Sequence, residues 1–186
     1  MKSLHKILIL LFCFLLLVSC DICSPTESDD PNVVTFSDIN FELVIRETLN
    51  KPSGNITKSD MLTIIWMDGR NMGIISIDGI EYCKNIEFIN MWDNQISDIS
   101  SLANLPKLTG LAIPRNQIQD ISCLEDLTNL TYLGLANNQI IDIYPLIRNR
   151  NIDDGDIINI IENPLSETSI NTYMPQLEAR GVEVIY

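Results

Sequence analysis

Ile89-Asn90-Met91-Trp92-Asp93-Asn94-Gln95-Ile96-Ser97-Asp98-Ile99, Leu111-Ala112-Ile113-Pro114-Arg115-Asn116-Gln117-Ile118-Gln119-Asp120-Ile121 and Leu133-Gly134-Leu135-Ala136-Asn137-Asn138-Gln139-Ile140-Ile141-Asp142-Ile143 are three versions of one phrase. Their aligned asparagines, Asn94, Asn116 and Asn138, stand 22 residues apart. Apolar residues return at the same interval: Ile80, Leu102, Leu124 and Leu146; Leu105 and Leu127; Ile86, Leu108 and Leu130; Met91, Ile113 and Leu135. A fixed period of this length predicts one strand and one return segment per coil, each coil stacked on the last. A single coil cannot bury its apolar face, so neighbours must complete the core and a cap must cover each end.

This is the signature of a leucine-rich repeat, and it predicts an α/β solenoid with a parallel sheet on its concave face. The asparagines fall where the chain leaves each strand. A side-chain amide there can pair backbone groups that the turn leaves unsatisfied, and stacked copies form a ladder of Asn94, Asn116, Asn138 and, after a looser last coil, Asn163. Asp98, Asp120 and Asp142 recur in step. One carboxylate per coil of about 4.8 Å, with no histidine beside it, reads as a turn-forming residue rather than a metal column.

The chain opens with Lys2, His5 and Lys6 before an apolar run from Ile7 to Val18, too short for the roughly 20 residues that a bilayer span needs. A positive start and a short apolar core describe a secretory leader over residues 1–19. Its end, Leu17-Val18-Ser19-Cys20, resembles the lipobox of bacterial lipoproteins. That resemblance implies acylation of Cys20, export, and a lipid anchor on the bacterial cell membrane or surface, stable if it carries two or more acyl chains. Residues 20–35, with Pro25, Pro31, Glu27, Asp29 and Asp30, read as a flexible acidic tether.

Without the leader, ten basic residues face 25 acidic ones and no histidine is left, a net charge of about −15 against −13 for the whole chain. That balance opposes nucleic acid, whose phosphates demand a basic face. Of the five cysteines, Cys13 leaves with the leader, Cys20 is the anchor and Cys23 is in the tether. Cys83 fills a leucine position and Cys123 lies about two coils away, roughly 10 Å, beyond the reach of about 7 Å between α-carbons that a disulfide allows.

The folded domain is expected over residues 36–186: an N-terminal cap at 36–60, coils over about 61–165 and a C-terminal cap at 166–186. Asp38 can cap a helix from about Ile39 to Asn50 that buries Phe41, Val44, Ile45 and Leu49. Thr57 and Asp60 form a capping box before a short helical turn. Met61, Ile64, Met67, Ile74, Ile77 and Ile80 already keep the period, with Met72 in the ladder position. Past Leu146, Asp153-Asp154-Gly155 intrudes, and the interval from Asn138 to Asn163 grows to 25 residues. Ser166 can cap a helix carrying Ile170 and Tyr173 inward; Pro175 restarts it, Leu177 continues the face, Gly181 stops it, and Val182–Tyr186 alternates like a last strand.

At this point the chain resembles the internalin-type leucine-rich repeats of bacterial surface proteins. The Asn-Gln-Ile-x-x-Ile cores, the Phe41-Glu42-x-x-Ile45-Arg46-x-x-Leu49 helix and the tail from Asn163-Pro164-Leu165-Ser166 to Arg180-Gly181-Val182 carry it. The resemblance implies a right-handed solenoid whose concave sheet binds other proteins. Only three regular repeats are present, so adhesion or invasion of host cells is not implied.

Residues that alternate with the inward ones face the concave surface. Counting back from the ladder gives the columns Trp66, Phe88, Gly110, Tyr132 and Ile157; Asp68, Asn90, Ala112, Gly134 and Asn159; and Arg70, Trp92, Pro114, Ala136 and Ile161. Trp66, Asp68, Arg70, Phe88, Asn90, Trp92 and Tyr132 are the candidate binding residues, since exposed aromatics beside an arginine make binding hot spots. The tryptophans have a second reading, as cover for the edge of the N-terminal cap. The expectation is a monomeric, membrane-anchored module that binds a protein or peptide. The alternative is a scaffold component of the envelope without a dedicated ligand. No cofactor is expected, and no enzyme: a phosphate loop, a metal-spaced cysteine pair and a nucleophile elbow are all missing. Asp68 and Asp93 are the only acids in the upper concave columns, too little to argue glycoside hydrolysis.

Overall fold

A computed structural model of the protein describes residues 30–186. The expected leader and Cys20 lie outside the described residues. Six three-residue strands, β1 (Trp66–Asp68), β2 (Phe88–Asn90), β3 (Gly110–Ala112), β4 (Tyr132–Gly134), β5 (Ile157–Asn159) and β6 (Glu183–Ile185), form one open sheet in sequence order. Every neighbouring pair is parallel, and the register joins Trp66, Phe88, Gly110, Tyr132, Ile157 and Glu183 in one column. The central residues of β1 to β5, Met67, Ile89, Leu111, Leu133 and Ile158, point into the core and are at most 1% exposed.

Parallel neighbours cannot be joined by a tight hairpin. The inner coils therefore return through 3₁₀ turns at Ile80–Tyr82, Ser100–Leu102 and Ser122–Leu124, which bury Ile80, Leu102 and Leu124. The recurring aspartates set the start of each return. Asp98, Asp120 and Asp142 each accept the backbone N–H two residues on, from Ser100, Ser122 and Tyr144, at 2.8 Å. In the first coil Ser76 Oγ does the same for Asp78, at 3.1 Å. Strand, turn and buried leucines stack into a leucine-rich-repeat solenoid with one continuous core.

Between neighbouring coils runs the asparagine ladder. Asn116 Nδ2 donates to Met91 O of the preceding coil at 3.0 Å and to Ile113 O of its own at 3.1 Å, while Oδ1 accepts the Ile96 N–H at 3.0 Å. Asn94, Asn138 and Asn163 make the same set with Gly69, Met91 and Ile74; with Ile113, Leu135 and Ile118; and with Leu135, Ile160 and Ile140. Met72, having no amide, instead gives its N–H to Asn94 Oδ1 at 3.2 Å. The residue before each of these positions adopts a left-handed backbone: Asn71, Asp93, Arg115, Asn137 and Glu162, with φ between 54° and 59°.

The N-terminal cap is helix α1 (Ile39–Thr48), which buries Phe41, Val44 and Ile45 and ends two residues before Asn50. Asp38 fastens it twice. Its Oδ1 accepts from Asn40 and Phe41 at the helix start, and its Oδ2 accepts the N–H groups of Ile75 and Ser76 in the first coil. Burial raises the pKa of this carboxyl, but four backbone donors outweigh it, and the net shift is downward. The Thr57–Asp60 capping box opens α2 (Lys58–Met61). The compact unit runs from Asn32 to Tyr186, starting four residues before the boundary expected at 36. Val33 bridges Thr57 and Val34 is buried, so apolar contact draws these residues out of the tether.

At the other end, α3 (Tyr144–Arg148) replaces the 3₁₀ turn of the last full coil, and the three extra residues enter after Ile152, at the Asp153-Asp154-Gly155 turn. Asn149, one period beyond Leu127, is 1% exposed in what had been a leucine column. Its Nδ2 donates to Leu124 O and Leu127 O, both at 2.9 Å, and Arg180 donates to the carbonyls of Ile147 and Asn149. Ile170 is 43% exposed rather than inward. Ser169–Tyr173 is a π turn in which the Met174 N–H reaches Ser169 O, and α4 (Met174–Glu178) follows it. That five-residue step puts Ser169 and Met174 into the core in place of Ile170. Pro175 sits in the first turn of α4, where it needs no partner for the N–H it lacks.

Candidate functional site

The concave face presents mixed side chains from the parallel strands. Trp66 is 54% exposed, Trp92 43% and Tyr132 36%. The N-terminal core is filled without the tryptophans, by Phe41, Val44, Ile45, Met61 and Met67, so neither indole closes the cap. Phe88 is only half-buried, short of the open exposure that an isolated contact residue would show. Its ring lies across Gly110, where any β-carbon would collide with it, and stacks on Tyr132 with centroids 6.3 Å apart and planes at 22°. Phe88 and Tyr132 thus make one aromatic shelf over three coils, and the absence of a side chain at Gly110 seats it.

Arg70 is not a free cation beside the aromatics. Asp68 holds it in a bidentate pair, Nε to Oδ1 at 2.8 Å and Nη2 to Oδ2 at 2.7 Å. Asn90 Oδ1 accepts the Trp92 N–H at 3.4 Å. Asp68, Arg70, Asn71 and Trp92 together line an open hollow of about 360 Å³ on this face. The guanidinium of Arg115 lies 5.8 Å from the Trp92 ring centroid, a cation–π distance. Arg115 and Asn71 escape the strand alternation because they sit in the left-handed turn, to which a two-residue period assigns no face. The one available signal is that both precede a ladder position.

A larger hollow, about 590 Å³, lies elsewhere, among the loops at Lys84, Ala103–Pro106 and Asp126–Asn129. Two of its side chains join neighbouring coils: Lys84 Nζ donates to Asn104 O and Asn129 Nδ2 to Pro106 O. Cys83 and Cys123 are free thiols, both pushed up to about 12, by burial first and nearby carboxylates second, which keeps them protonated and unreactive. Among the described residues no group of three His, Cys, Asp or Glu side chains is placed to hold a metal ion. Among them, too, no helix is long and apolar enough to cross a membrane.

Residues 106–148 match the family model described as leucine-rich repeats, two copies. Among solved structures, an internalin of Listeria monocytogenes (InlF) is 35% identical over 81% of this chain, with a TM-score of 0.67. The functional domain of a second Listeria monocytogenes protein (InlJ), which includes a cysteine ladder, is 25% identical over 74% of this chain, with a TM-score of 0.61. The chain spans 43% and 30% of the length of these two. The similarity supports an internalin-like leucine-rich-repeat protein.

Proposed function

We propose that this chain is an extracytoplasmic, membrane-anchored interaction module that holds a protein or peptide partner on its concave sheet and carries out no chemistry. One observation carries the reading: both tryptophans of the chain stand exposed on the concave face, over a sheet whose core and caps are complete without them. Exposed Trp, Tyr and Arg on a rigid surface are the composition of binding hot spots. Repeat solenoids use such concave surfaces for partners. The anchor rests on the Leu17-Val18-Ser19-Cys20 sequence, and the tether that follows gives the domain reach.

Replacing Trp92 by Ala tests the face. Stability in denaturant should stay within about 0.5 kcal/mol, because the indole fills no core space. Binding of a partner captured by the full chain should weaken by about 2 kcal/mol or more. A Trp92→Ala protein that unfolds, or that holds its partner undiminished, removes this end of the sheet as the contact surface.

A further inference from the structure

Where each return begins, two coils carry polar residues and the last full coil does not. Ser97, Gln119 and Ile141 follow one another at the 22-residue interval, as do Ser100, Ser122 and Tyr144. Ile141 is 56% exposed and Tyr144 44%, so neither is there to fill the core. The C-terminal cap adjoins them: the Ile141 carbonyl accepts the Ser166 N–H at 2.8 Å and Ser169 Oγ at 3.1 Å, and the Tyr144 and Tyr173 rings lie 5.4 Å apart. The π turn of that cap also leaves Ile170 outward, and such turns recur at functional sites. In the two coils before, Ser97, Asp98, Ser100, Asp120, Ser122 and Cys123 line an open hollow of about 310 Å³. Asp98, Asp120 and, next to Tyr144, Asp142 each accept a turn N–H at Oδ1. None of the three has a Lys or Arg within ion-pair distance among the described residues. Two of these charges meet at the Cys123 thiol, whose pKa is raised by burial first, then by Asp120, then by Asp98.

We infer that this strip, from the Asp98–Asp120 hollow to the Tyr144–Tyr173 pair, docks a basic and apolar segment of a protein partner. A Lys or Arg side chain enters the hollow, and an aromatic or aliphatic residue lies against Ile141 and Tyr144. Charge selects the occupant. A net charge of about −15 over the chain without its leader draws cationic segments in, and three carboxylates without an internal cation give the strip the sign to hold one. The Ser97, Ser100 and Ser122 hydroxyls beside them add acceptors for an ammonium or guanidinium group. Large apolar side chains at exposed positions that the other coils keep polar mark a contact surface. Coils step about 5 Å apart, so the row from Asp98 to Tyr144 is about 10 Å long, the reach of about three residues of extended chain. The strip lies at the start of the returns, off the concave sheet, and involves neither tryptophan. It therefore stands apart from the concave-face reading above and adds a second contact.

The test is a selection of random dodecapeptides on the purified full chain, with the binders then measured on three variants. Asp98→Asn with Asp120→Asn keeps an oxygen to accept each turn N–H and removes the charge. Ile141→Gln with Tyr144→Ser restores the residues of the coil before, and Trp92→Ala alters the concave face alone. The expected binders carry Lys or Arg within about three residues of an aromatic or aliphatic one. Their Kd should rise about tenfold or more on each of the first two variants and stay unchanged on Trp92→Ala. Two measurements on the wild-type protein need no variant to fold: changing the basic residue of the peptide to Gln should weaken binding about tenfold, and so should raising the salt from about 0.05 M to about 0.5 M. Binders without a basic residue, binders indifferent to that Gln change or to both double variants, or an empty selection overturn the strip. Binders lost on Trp92→Ala alone also overturn it and leave the concave face standing, whereas a concave face that fails its own Trp92→Ala test leaves the strip intact.

Discussion

Asn116 shows how much one side chain can decide. Its amide serves two carbonyls and one N–H at 3.0 to 3.1 Å, linking two coils while only 8% exposed. Asn116→Ala should therefore cost about 1–3 kcal/mol, the usual penalty for leaving buried polar groups unpaired. Gln117→Ala, at the exposed next position, should stay within about 0.5 kcal/mol. Urea midpoints of the two variants check this, and equal midpoints would remove the ladder from the account of stability. Asn116→Asp should fall below even the alanine variant, because a carboxylate cannot donate to Met91 O and Ile113 O. The asparagines are legible in the sequence because every coil repeats the same local demand. Asn149 is not legible in that way: it follows the leucines of its column only once, and its role appears when the chain folds Leu124 O and Leu127 O over it.

Elements are held by their ends more than by their length. The four-residue helix α2 depends on Asp60, whose Oδ2 accepts from Lys51 Nζ and the Thr57 N–H at 2.7 Å and from Thr57 Oγ1 at 2.8 Å. Hydrogen bonding from Lys51 first, then from the Thr57 backbone and hydroxyl, holds this carboxyl at about 2 against an ordinary 3.8. A depressed carboxylate pKa contributes stability that is present above the unfolded value and is lost as pH falls from near 3.8 through about 2. Asp38 and Asp98 shift in the same direction, whereas burial raises Asp156, whose contribution grows as pH falls. Urea midpoints between pH 5 and pH 2 should thus decline, and less steeply for Asp60→Asn; parallel profiles would place the acid sensitivity elsewhere. Helix α1 and the capping box could be read from Asp38, Thr57 and the spacing of apolar residues, since caps are local chemistry. The π turn at Ser169–Tyr173 could not be read, because a helical period of 3.6 assigns Ile170 to the face that the five-residue step gives to Ser169. The binding face divides likewise. The columns follow from alternation, but the Arg70–Asp68 pair and the contact of Arg115 with Trp92 depend on rotamers and on a turn without a period.

For the whole molecule, the anchor hypothesis places the solenoid on a tether from Cys20. Cys20→Ser should abolish incorporation of a labelled fatty acid and leave an uncleaved or mis-sorted product; label that persists in the variant would refute attachment at this residue. The ladder bears on how such a tethered body answers tension. Each asparagine fastens its own coil to the one before, so a pull along the chain meets the same small set of bonds again at every repeat. Extension at constant speed should release coils one after another in a sawtooth, each step lengthening the chain by about 75 Å for 22 residues at roughly 3.4 Å each. Under load the protein would then yield in increments, and a partner held on the concave sheet would be let go strand by strand.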